Sequence, residues 1–494
     1  MFNSRRGALL AAVCSAGLIC GLAVGPASAE TLAEAIALAY DSNPNLQAQR
    51  ATQRALDENY VQARSGYRPT LSASVQGNYS ESRTPGGVPN AAGGRTFGPN
   101  EDNSGSAGFS LTQPLYTGGR TAAAVSAAQA DILAGRENLR RVEAQVLATV
   151  ITAYVDTRRD IEALRIREEN VRVLQRQLEE SKARFDVGEI TRTDVAQSEA
   201  RLAAAQAQLS QAQAQLAISR ANYAAVVGQN PGDLAPEPSL AALLPGDVSQ
   251  AFDVAEAASP QIRTAEYVQQ ASRARLAGAR AERLPSLALR GTLGWSGQAD
   301  PLDTDEYSRS ITGAAVLTVP LFTGGLTNSR VRAQIERNNA DRIGVETARR
   351  TVLQGLTQSW SQLIAARANI GSTDEQVRAA RIAAEGTRQE QQVGLRTTLD
   401  VLNAEQELRS AELAQVSARR DEYVAATNVL AQMGRLEAPN LTPAVTRYDP
   451  KTNFSKLRFT WGWVPWEEPI ALVDGVLTPK PVEKPMEAAP AAPK

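Results

Sequence analysis

The sequence predicts a mixed α and β membrane protein that is built from an internal tandem repeat. Two long stretches, residues 115–230 and 321–438, contain no proline, and proline costs about 3 kcal/mol inside a helix. Short segments with strict apolar–polar alternation precede each stretch, and the whole arrangement occurs twice. The chain is therefore expected to combine long helices with amphipathic strands in two copies.

The N-terminus is typical of a signal peptide, which we assign to residues 1–29. Arg5 and Arg6 form a basic start, residues 7–24 are apolar, and an Ala-Ser-Ala sequence at 27–29 matches a cleavage site. Both cysteines of the chain lie in this segment, so we expect no disulfide or thiol in the mature protein. The sequence thus predicts an exported protein.

The composition argues against several classes of function. Histidine is absent, which removes the commonest general base and the commonest metal ligand. The formal net charge is −1 and no basic stripe is present, which argues against nucleic-acid binding. The sequence also contains no Gly-Lys dipeptide of a phosphate-binding loop and no Gly-x-Ser-x-Gly motif. We therefore predict that the chain is not an enzyme and uses no metal or cofactor.

Four segments alternate strictly between apolar and polar residues, which predicts β-strands with one apolar and one polar face. In the first segment Leu71, Ala73 and Val75 fall on one face, and serines fall on the other. The other three segments lie near residues 107–112, 287–296 and 311–319. This alternation between turn-rich loops is typical of strands that face lipid on one side and water on the other.

Four strands cannot close a barrel with an open lumen, and unpaired strand edges are not tolerated in lipid. The chain must therefore oligomerise, and three copies would supply a twelve-stranded β-barrel. We expect strands of about 9–11 residues and place the loop of the first strand pair at residues 81–105. In the alternative, a soluble sheet, no further strands would be left to cover the apolar face.

Each proline-free stretch predicts a long coiled-coil hairpin with a glycine-containing break near its middle. The first break is Val187-Gly188, and the helix before it would span about 100 Å. The return helix carries an apolar residue at every seventh position from Leu202 to Tyr223, which is the pattern of a coiled-coil seam. The second hairpin breaks at Val393-Gly394.

The two halves match closely, which indicates a tandem duplication. Leu-Thr-Gln-Pro-Leu-Tyr-Thr-Gly-Gly at 111–119 corresponds to Leu-Thr-Val-Pro-Leu-Phe-Thr-Gly-Gly at 317–325, and the two Val-Gly breaks show the same offset. We assign the first structural repeat to residues 30–232 and the second to residues 251–436, with a linker at 233–250.

The C-terminal tail, residues 437–494, differs in composition from the repeats. Five of the six lysines lie at 451–494, and the last stretch is rich in proline and alanine, so we expect the tail to be partly flexible. Trp461, Trp463 and Trp466 are unusual in such a segment. They either pack against the body of the protein or contact a partner, and the sequence leaves both open.

Several features together resemble the TolC family of outer-membrane efflux and type I secretion channels over residues 31–436. They are the duplicated strand pair, the Pro-Leu-(Tyr/Phe)-Thr-Gly-Gly junctions, Asn43-Pro44, Ser259-Pro260 and the two Val-Gly breaks. The resemblance implies a homotrimer in the outer membrane of a Gram-negative bacterium. Its twelve-stranded β-barrel would lie in lipid and continue into a long α-helical barrel across the periplasm.

The resemblance also implies partners and a function. The channel would dock to a periplasmic adaptor (membrane fusion) protein and, through it, to an inner-membrane pump. It would export small toxic compounds or unfolded proteins from a tripartite efflux or type I secretion machine, and the sequence does not separate these cargoes. A periplasmic coiled-coil adaptor or structural protein is the alternative, although it would need flanking β-rich domains.

The resemblance finally implies roles for residues near the two breaks. The adaptor-docking tips would be Val187, Gly188, Glu189, Thr191, Val393, Gly394, Leu395 and Thr397. The pore-entrance gate would be Asp400 and Asn403, the latter at a position that is acidic in similar family members. A tip lock would join Arg396 to Thr193 and Asp194 of a neighbouring hairpin. On a purely structural interpretation, the two glycines only permit the turns and Asp400 is a solvated residue at a helix start.

Overall fold

The computed structural model describes residues 29–298, 307–442, 445–476 and 478–484. The predicted signal peptide, apart from its last residue, and the last ten residues of the tail lie outside these ranges. Among the described residues, no helix has a stretch that is both long and apolar enough to cross a bilayer.

The chain forms a four-stranded sheet, two long helical hairpins and shorter helices that pack against them. The first half contains α1 (Leu32–Ser42), α2 (Pro44–Arg64), β1 (Thr70–Ser82), β2 (Val88–Pro89), β3 (Arg95–Thr96), β4 (Asn100–Tyr116), α3 (Arg120–Asp186) and α4 (Arg192–Val227). The second contains α5 (Val248–Ala258), α6 (Pro260–Ala281), β5 (Ser286–Gln298), β6 (Ser308–Thr318), α7 (Leu326–Gln392) and α8 (Thr398–Gln432). The tail adds α9 (Ala438–Leu441), α10 (Lys451–Lys456) and α11 (Glu467–Asp474).

The paired lengths of the elements confirm the duplication. Helices α3 and α7 both contain 67 residues, and each spans about 100 Å. Helices α1 and α5 both contain 11 residues. The long helices are therefore the dominant dimension of both halves.

The sheet has the strand order β1-β4-β5-β6 and is antiparallel throughout. Its register brings like residues side by side across all four strands. One transverse row is apolar and consists of Ala73, Phe109, Leu293 and Ile311. The adjacent row on the opposite face is polar and consists of Ser72, Ser110, Thr292 and Thr312. This register confirms the predicted amphipathic strands.

The predicted strand lengths and the predicted loop at 81–105 are wrong. Strands β1, β4 and β5 contain 13, 17 and 13 residues, and only β6, with 11, falls in the predicted range. The β1–β4 ladder continues to the pair Ser82 and Asn100, and β2 and β3 form a small hairpin inside the remaining loop. The reason is that backbone hydrogen bonds extend the ladder beyond the apolar alternation from which we estimated its length.

The helical hairpins pack along the predicted seam. Leu216 and Tyr223 of α4 are 5% and 0% exposed. The Tyr223 hydroxyl donates to Glu30 Oε1 at 2.6 Å, and the hydroxyl of Tyr154, on α3, donates to the carbonyl oxygen of Ala235 at 2.6 Å. These bonds tie the linker and the start of the first repeat to the middle of the long hairpin.

The described part of the tail is held to the body by two buried carboxylates. Glu467 is fully buried, and its two oxygens lie 2.6 Å from Arg64 Nε and 3.0 Å from Arg68 Nε. The Asp474 carboxylate accepts hydrogen bonds from the backbone N–H groups of Thr117, at 2.8 Å, and Gly119, at 3.0 Å. A carboxylate is favourable at this place because the N-terminus of α3 begins there. The tail therefore clamps two places, the passage from α2 to β1 through Glu467 and the junction between β4 and α3 through Asp474.

We predict that Glu467→Ala strongly destabilises the protein, because it leaves the buried Arg64 and Arg68 without their shared carboxylate. Breaking a buried ion pair in this way costs about 3–5 kcal/mol. Glu468→Ala is the matched control, since Glu468 also pairs with Arg64 but its side chain is 48% exposed; it should cost less than about 1 kcal/mol. Thermal unfolding in detergent, followed by circular dichroism, measures both. Equal midpoints for the two variants would contradict the clamp.

We also predict a pH-dependent contribution from Glu143 of α3. Burial, followed by repulsion from Glu437, raises the pKa of Glu143 to about 6 from 4.5, although Arg447 and Arg50 act in the opposite direction. The folded state therefore binds this proton more tightly than the unfolded state. The free energy of unfolding therefore falls by about 2 kcal/mol as the pH rises from below 4.5 to above about 6.

Glu143→Gln should remove this component, so its stability relative to the parent should be higher at pH 7.5 than at pH 4.5. Unfolding midpoints at both pH values test the effect. Glu168→Gln, at an exposed position of the same helix, is the control, and its midpoint should change between the two pH values by as much as the midpoint of the parent does. If the midpoint of Glu143→Gln also follows the parent, the Glu143 carboxyl does not contribute.

Candidate functional site

The candidate site is formed by the two turns at the ends of the long hairpins, which lie about 100 Å along the helices from the sheet. All residues that the sequence assigned to docking, gating and locking lie in or next to these turns. The first turn joins α3 to α4, and the second joins α7 to α8. We call them tip 1 (residues 185–195) and tip 2 (residues 391–403).

Both turns depend on a glycine in the left-handed backbone region. Gly188 has φ +78° and Gly394 has φ +79°, and neither would crowd a neighbour if a Cβ were added. The following N–H groups, of Glu189 and Leu395, each donate to a carbonyl five residues earlier at 2.9 Å. This is the hydrogen bond of a Schellman motif, which provides a donor for an otherwise unpaired carbonyl oxygen at the helix C-terminus. The two glycines are thus required by the backbone angle rather than by lack of space.

The side chains at the outer surface of both turns are apolar and exposed. Val187 is 72% exposed, Val393 is 71% exposed and Leu395 is 76% exposed. Glu189 differs, because its carboxylate lies 3.0 Å from Arg184 Nε at the end of α3. The two tips thus share a shape but not a charge pattern.

A capping box starts the return helix at each tip. Thr191 and Asp194 form the box of α4, and Thr397 and Asp400 form that of α8. In each box the threonine hydroxyl accepts from the aspartate N–H, and the aspartate carboxylate accepts from the threonine N–H. The side chains of Thr191, Thr397 and the two aspartates therefore all have a structural role.

The Asp400 carboxylate is both engaged and open to solvent. Its Oδ2 accepts from the hydroxyl of Thr397 at 2.8 Å and from the Thr397 N–H at 3.1 Å. These bonds, the side-chain bond first, hold the pKa of Asp400 below its usual value, and Arg396 adds a smaller effect in the same direction. The carboxylate is thus ionised at neutral pH, as a cation-binding position would require.

Arg396 pairs within its own hairpin. Its Nε lies 2.8 Å from Glu390 Oε2 at the end of α7. Within the described residues of this single chain, no hydrogen bond or ion pair joins Arg396 to Thr193 or Asp194. A lock between neighbouring hairpins stays a prediction, and Glu390 is a competing partner that the sequence analysis did not identify.

A second contact near the tips joins the two hairpins and was also missed. Arg201 of α4 donates from Nη2 to Asn403 Oδ1 at 3.0 Å and from Nη1 to Gln406 Oε1. Beside it, Leu402 is 2% exposed and packs with residues of the first hairpin, including Leu174. Asn403, which we predicted as a gate position, therefore contacts α4 of the same chain.

The next turn of α8 holds a buried carboxylate. Glu405 is 3% exposed; it pairs with Arg388 of α7, and its Oε2 lies 3.6 Å from Arg409 Nη2. The sequence contains a partial signal for these contacts, because Arg201 flanks the seam residue Leu202 and such flanking positions often carry interhelical charge pairs. It does not say which helix supplies the partner.

Comparison with known proteins gives a consistent result. The family model described as "Outer membrane efflux protein" matches residues 35–229 and 251–435. The outer membrane efflux protein BepC of Brucella suis biovar 1 is 34% identical over 468 residues, which cover 93% of this chain and 97% of BepC. The outer membrane protein TolC of Escherichia coli is 25% identical over 440 residues, 84% of each chain.

The fold is similar to that of solved structures. The crystal structure of the CmeC outer membrane channel of Campylobacter jejuni superposes with a TM-score of 0.71 at 16% sequence identity. The match covers 86% of this chain and 89% of CmeC. At this identity, the likeness concerns the fold.

Proposed function

The chain belongs to the outer membrane efflux protein family, and on this premise we propose how it works as the outer-membrane channel of an export machine. It lies in the outer membrane and extends into the periplasm. The duct itself carries out no chemistry, and the chain is not an enzyme. Its task is to give substrates a continuous aqueous path to the outside.

The observation that carries this proposal is the exposed apolar face of the sheet. Leu71 is 70% exposed, Val75 86%, Ile311 68% and Leu317 63%. A monomeric protein in water rarely exposes so continuous an apolar surface. The polar row on the other face suits a water-filled lumen, so the two faces match lipid outside and water inside.

A homotrimer satisfies the open edges of this sheet. Strands β1 and β6 are the edge strands, and each has one unpaired side in the single chain. Pairing β6 of one copy with β1 of the next would satisfy both edges, and three copies would close a twelve-stranded barrel. The same assembly would cover apolar side chains that α7 leaves exposed, such as Ile343 at 63% and Ile382 at 67%.

The tips supply the docking surface for a periplasmic adaptor protein, which connects the channel to an inner-membrane pump. Val187, Val393 and Leu395 offer exposed apolar contacts on turns that are closed by backbone hydrogen bonds. The contact also uses Gly188, Glu189, Thr191, Gly394 and Thr397, whose backbones form the same two turns. The tips can present these groups without distortion, because caps on both sides fix their geometry.

The gate lies at tip 2. Asp400 supplies one carboxylate per copy, so a trimer would place a ring of three at the entrance. Asn403 adds no charge and is occupied by Arg201. Entrance selectivity therefore depends on a single acidic ring.

We take small toxic compounds as the first candidate cargo because the 34% identical relative BepC is named as an efflux protein, whereas AprF, at 25% identity, is named as an alkaline protease secretion protein. Unfolded proteins are the second candidate cargo, since they would pass through the same aqueous channel. The periplasmic coiled-coil adaptor or structural protein is disfavoured by the exposed apolar sheet, which a periplasmic protein would have to cover.

We expect a strain that lacks this chain to accumulate small toxic compounds and to become more susceptible to them. Reintroduction of the parent chain should restore resistance, and the purified protein should have the mass of three copies in native mass spectrometry. If neither susceptibility nor the set of secreted proteins changes, the export function is wrong. A periplasmic monomer in cell fractionation would contradict the channel.

Arg396→Ser should raise the resting conductance of the channel in planar bilayers if Arg396 holds the entrance closed. Water and salt screen an exposed ion pair, so its loss should change the open-to-closed ratio only modestly, by up to about fivefold. The resting conductance of Arg201→Ala tests whether the contact of Arg201 with Asn403 also holds the entrance closed. Arg350→Ser is the control, since Arg350 is 79% exposed in an ion pair on α7, remote from the tip. Unchanged conductance in Arg396→Ser would place the lock elsewhere.

Asp400→Ala should remove the response of the channel to divalent cations added on the side of the tips. In the parent channel, cations bound by the carboxylate ring should lower the conductance. Thr191→Ala is the matched control, because it weakens the equivalent capping box of α4 and leaves both Asp194 and Asp400 intact. An identical cation response in the parent and in Asp400→Ala would exclude this ring as the binding position.

A further inference from the structure

The tryptophan-rich part of the tail, residues 459–466, has no role in the channel function described so far. Its sequence is Phe-Thr-Trp-Gly-Trp-Val-Pro-Trp. Trp461 is 100% exposed and Phe459 is 66% exposed, although both lie in a segment that is packed against the body. The Trp461 ring adds to the exposed apolar surface of the protein, and contiguous exposed apolar surfaces mark interaction sites.

The structure fixes this segment at the helix-side end of the sheet. The Trp461 carbonyl accepts from Arg68 Nη1 at 3.4 Å, and Arg68 stands two residues before β1. Glu467, directly after the segment, pairs with Arg68 as well. The aromatic cluster therefore cannot move far along the axis of the strands.

The register of the sheet shows on which face the segment lies. Trp466 donates from Nε1 to Gln113 Oε1 at 3.2 Å. Gln113 is paired with Leu289 and stands two residues after Leu111, so it belongs to the apolar face of the sheet. It is also 9% exposed. The tail thus covers the end of the apolar face and not the polar one.

The aromatic side chains of residues 459–466 extend the apolar face of the sheet to the boundary between the strands and the helices. Phe459 and Trp463 pack edge to face with ring centroids 5.3 Å apart, which limits the freedom of both rings. Tryptophan has an apolar ring and one polar N–H, and it is enriched where a membrane meets water. Exposed, oriented tryptophans at the end of a lipid-facing sheet match that boundary.

We propose that residues 459–466 form an aromatic anchor that rests in the headgroup region of the periplasm-facing phospholipid leaflet. The bound partner is a phospholipid surface. Trp461 enters this surface, while Trp466 and Arg68 hold the segment on the strands. The anchor fixes the height of the barrel in the membrane. The inference rests on the proposed function, since it requires the sheet to lie in lipid.

Depth-dependent fluorescence quenching tests the anchor in the full-length protein reconstituted into phospholipid vesicles. The chain has five tryptophans. One variant keeps only Trp295, one keeps only Trp360, and one keeps Trp461 together with Trp463 and Trp466, which hold the segment in place; the remaining tryptophans are changed to phenylalanine, and the Trp461 emission is the part that a further Trp461→Phe change removes. Trp295 lies on the apolar face of β5, paired with Ala107. Trp360 lies about 50 Å along α7 from its start and is the control.

Vesicles carry phospholipids brominated either near the headgroup or near the end of the acyl chains. We expect Trp461 to lose roughly half of its emission, mainly with bromines near the headgroup. Trp295 should be quenched as well, and Trp360 should not. As a check that does not depend on multiple substitutions, Trp461→Phe in the otherwise unchanged chain should remove the component quenched near the headgroup.

The outcomes separate the anchor from the channel function. If Trp295 is quenched and Trp461 is not, the anchor is wrong; a neighbouring copy covering Trp461 would give this result. If Trp461 is quenched more strongly by the deep bromines, the headgroup position is wrong. If neither Trp295 nor Trp461 is quenched, the sheet does not face lipid, and both the anchor and the proposed channel are wrong.

Discussion

The passage from strand to long helix depends on two consecutive glycines with left-handed backbone angles. Gly118 and Gly119, after β4, have φ +70° and +89°, and Gly324 and Gly325, after β6, have φ +60° and +83°. A Cβ on Gly118 would lie 2.8 Å from Leu284 Cβ, so the angle and the space both exclude a side chain. These turns set the direction in which each long helix leaves the sheet, and hence the position of everything beyond it.

The two junctions have the same turn but different support. At the first, the Asp474 carboxylate accepts from the N–H groups that precede α3. Both junctions have a hydroxyl–hydroxyl hydrogen bond, between Thr117 and Thr121 at the first and between Thr323 and Thr327 at the second, but within the described residues only the first has a carboxylate on these N–H groups. Leu321 and Phe322 are 92% and 89% exposed there, and so remain available for contacts outside the chain. The duplication therefore gives two similar halves, and the tail makes them unequal.

The features that sequence reasoning predicted are those with a local signal. The apolar–polar alternation of the strands predicted the two faces of the sheet, and the Val-Gly pairs predicted the turns at the tips. Both signals can be read from a few consecutive residues. The strand ends were wrong because backbone pairing does not need an apolar face. The contacts of Glu467 and Arg201 were missed for a different reason: each pairs a charged or polar group with one about 200 to 400 residues away, and no periodicity marks such a pair.

The clamp at the first junction has a consequence for the order of folding. Glu467 and Asp474 contact Arg64 and Thr117, which precede them by 403 and 357 residues. Contacts with such large sequence separation form late, because the loop entropy must be overcome before the contact contributes. The N-terminal hairpin and helices can form while the chain is still being translocated, but the junction below the strands closes only when the tail arrives. A chain that stopped before Glu467 would therefore lack both carboxylates that join the tail to the residues around the strand–helix junction.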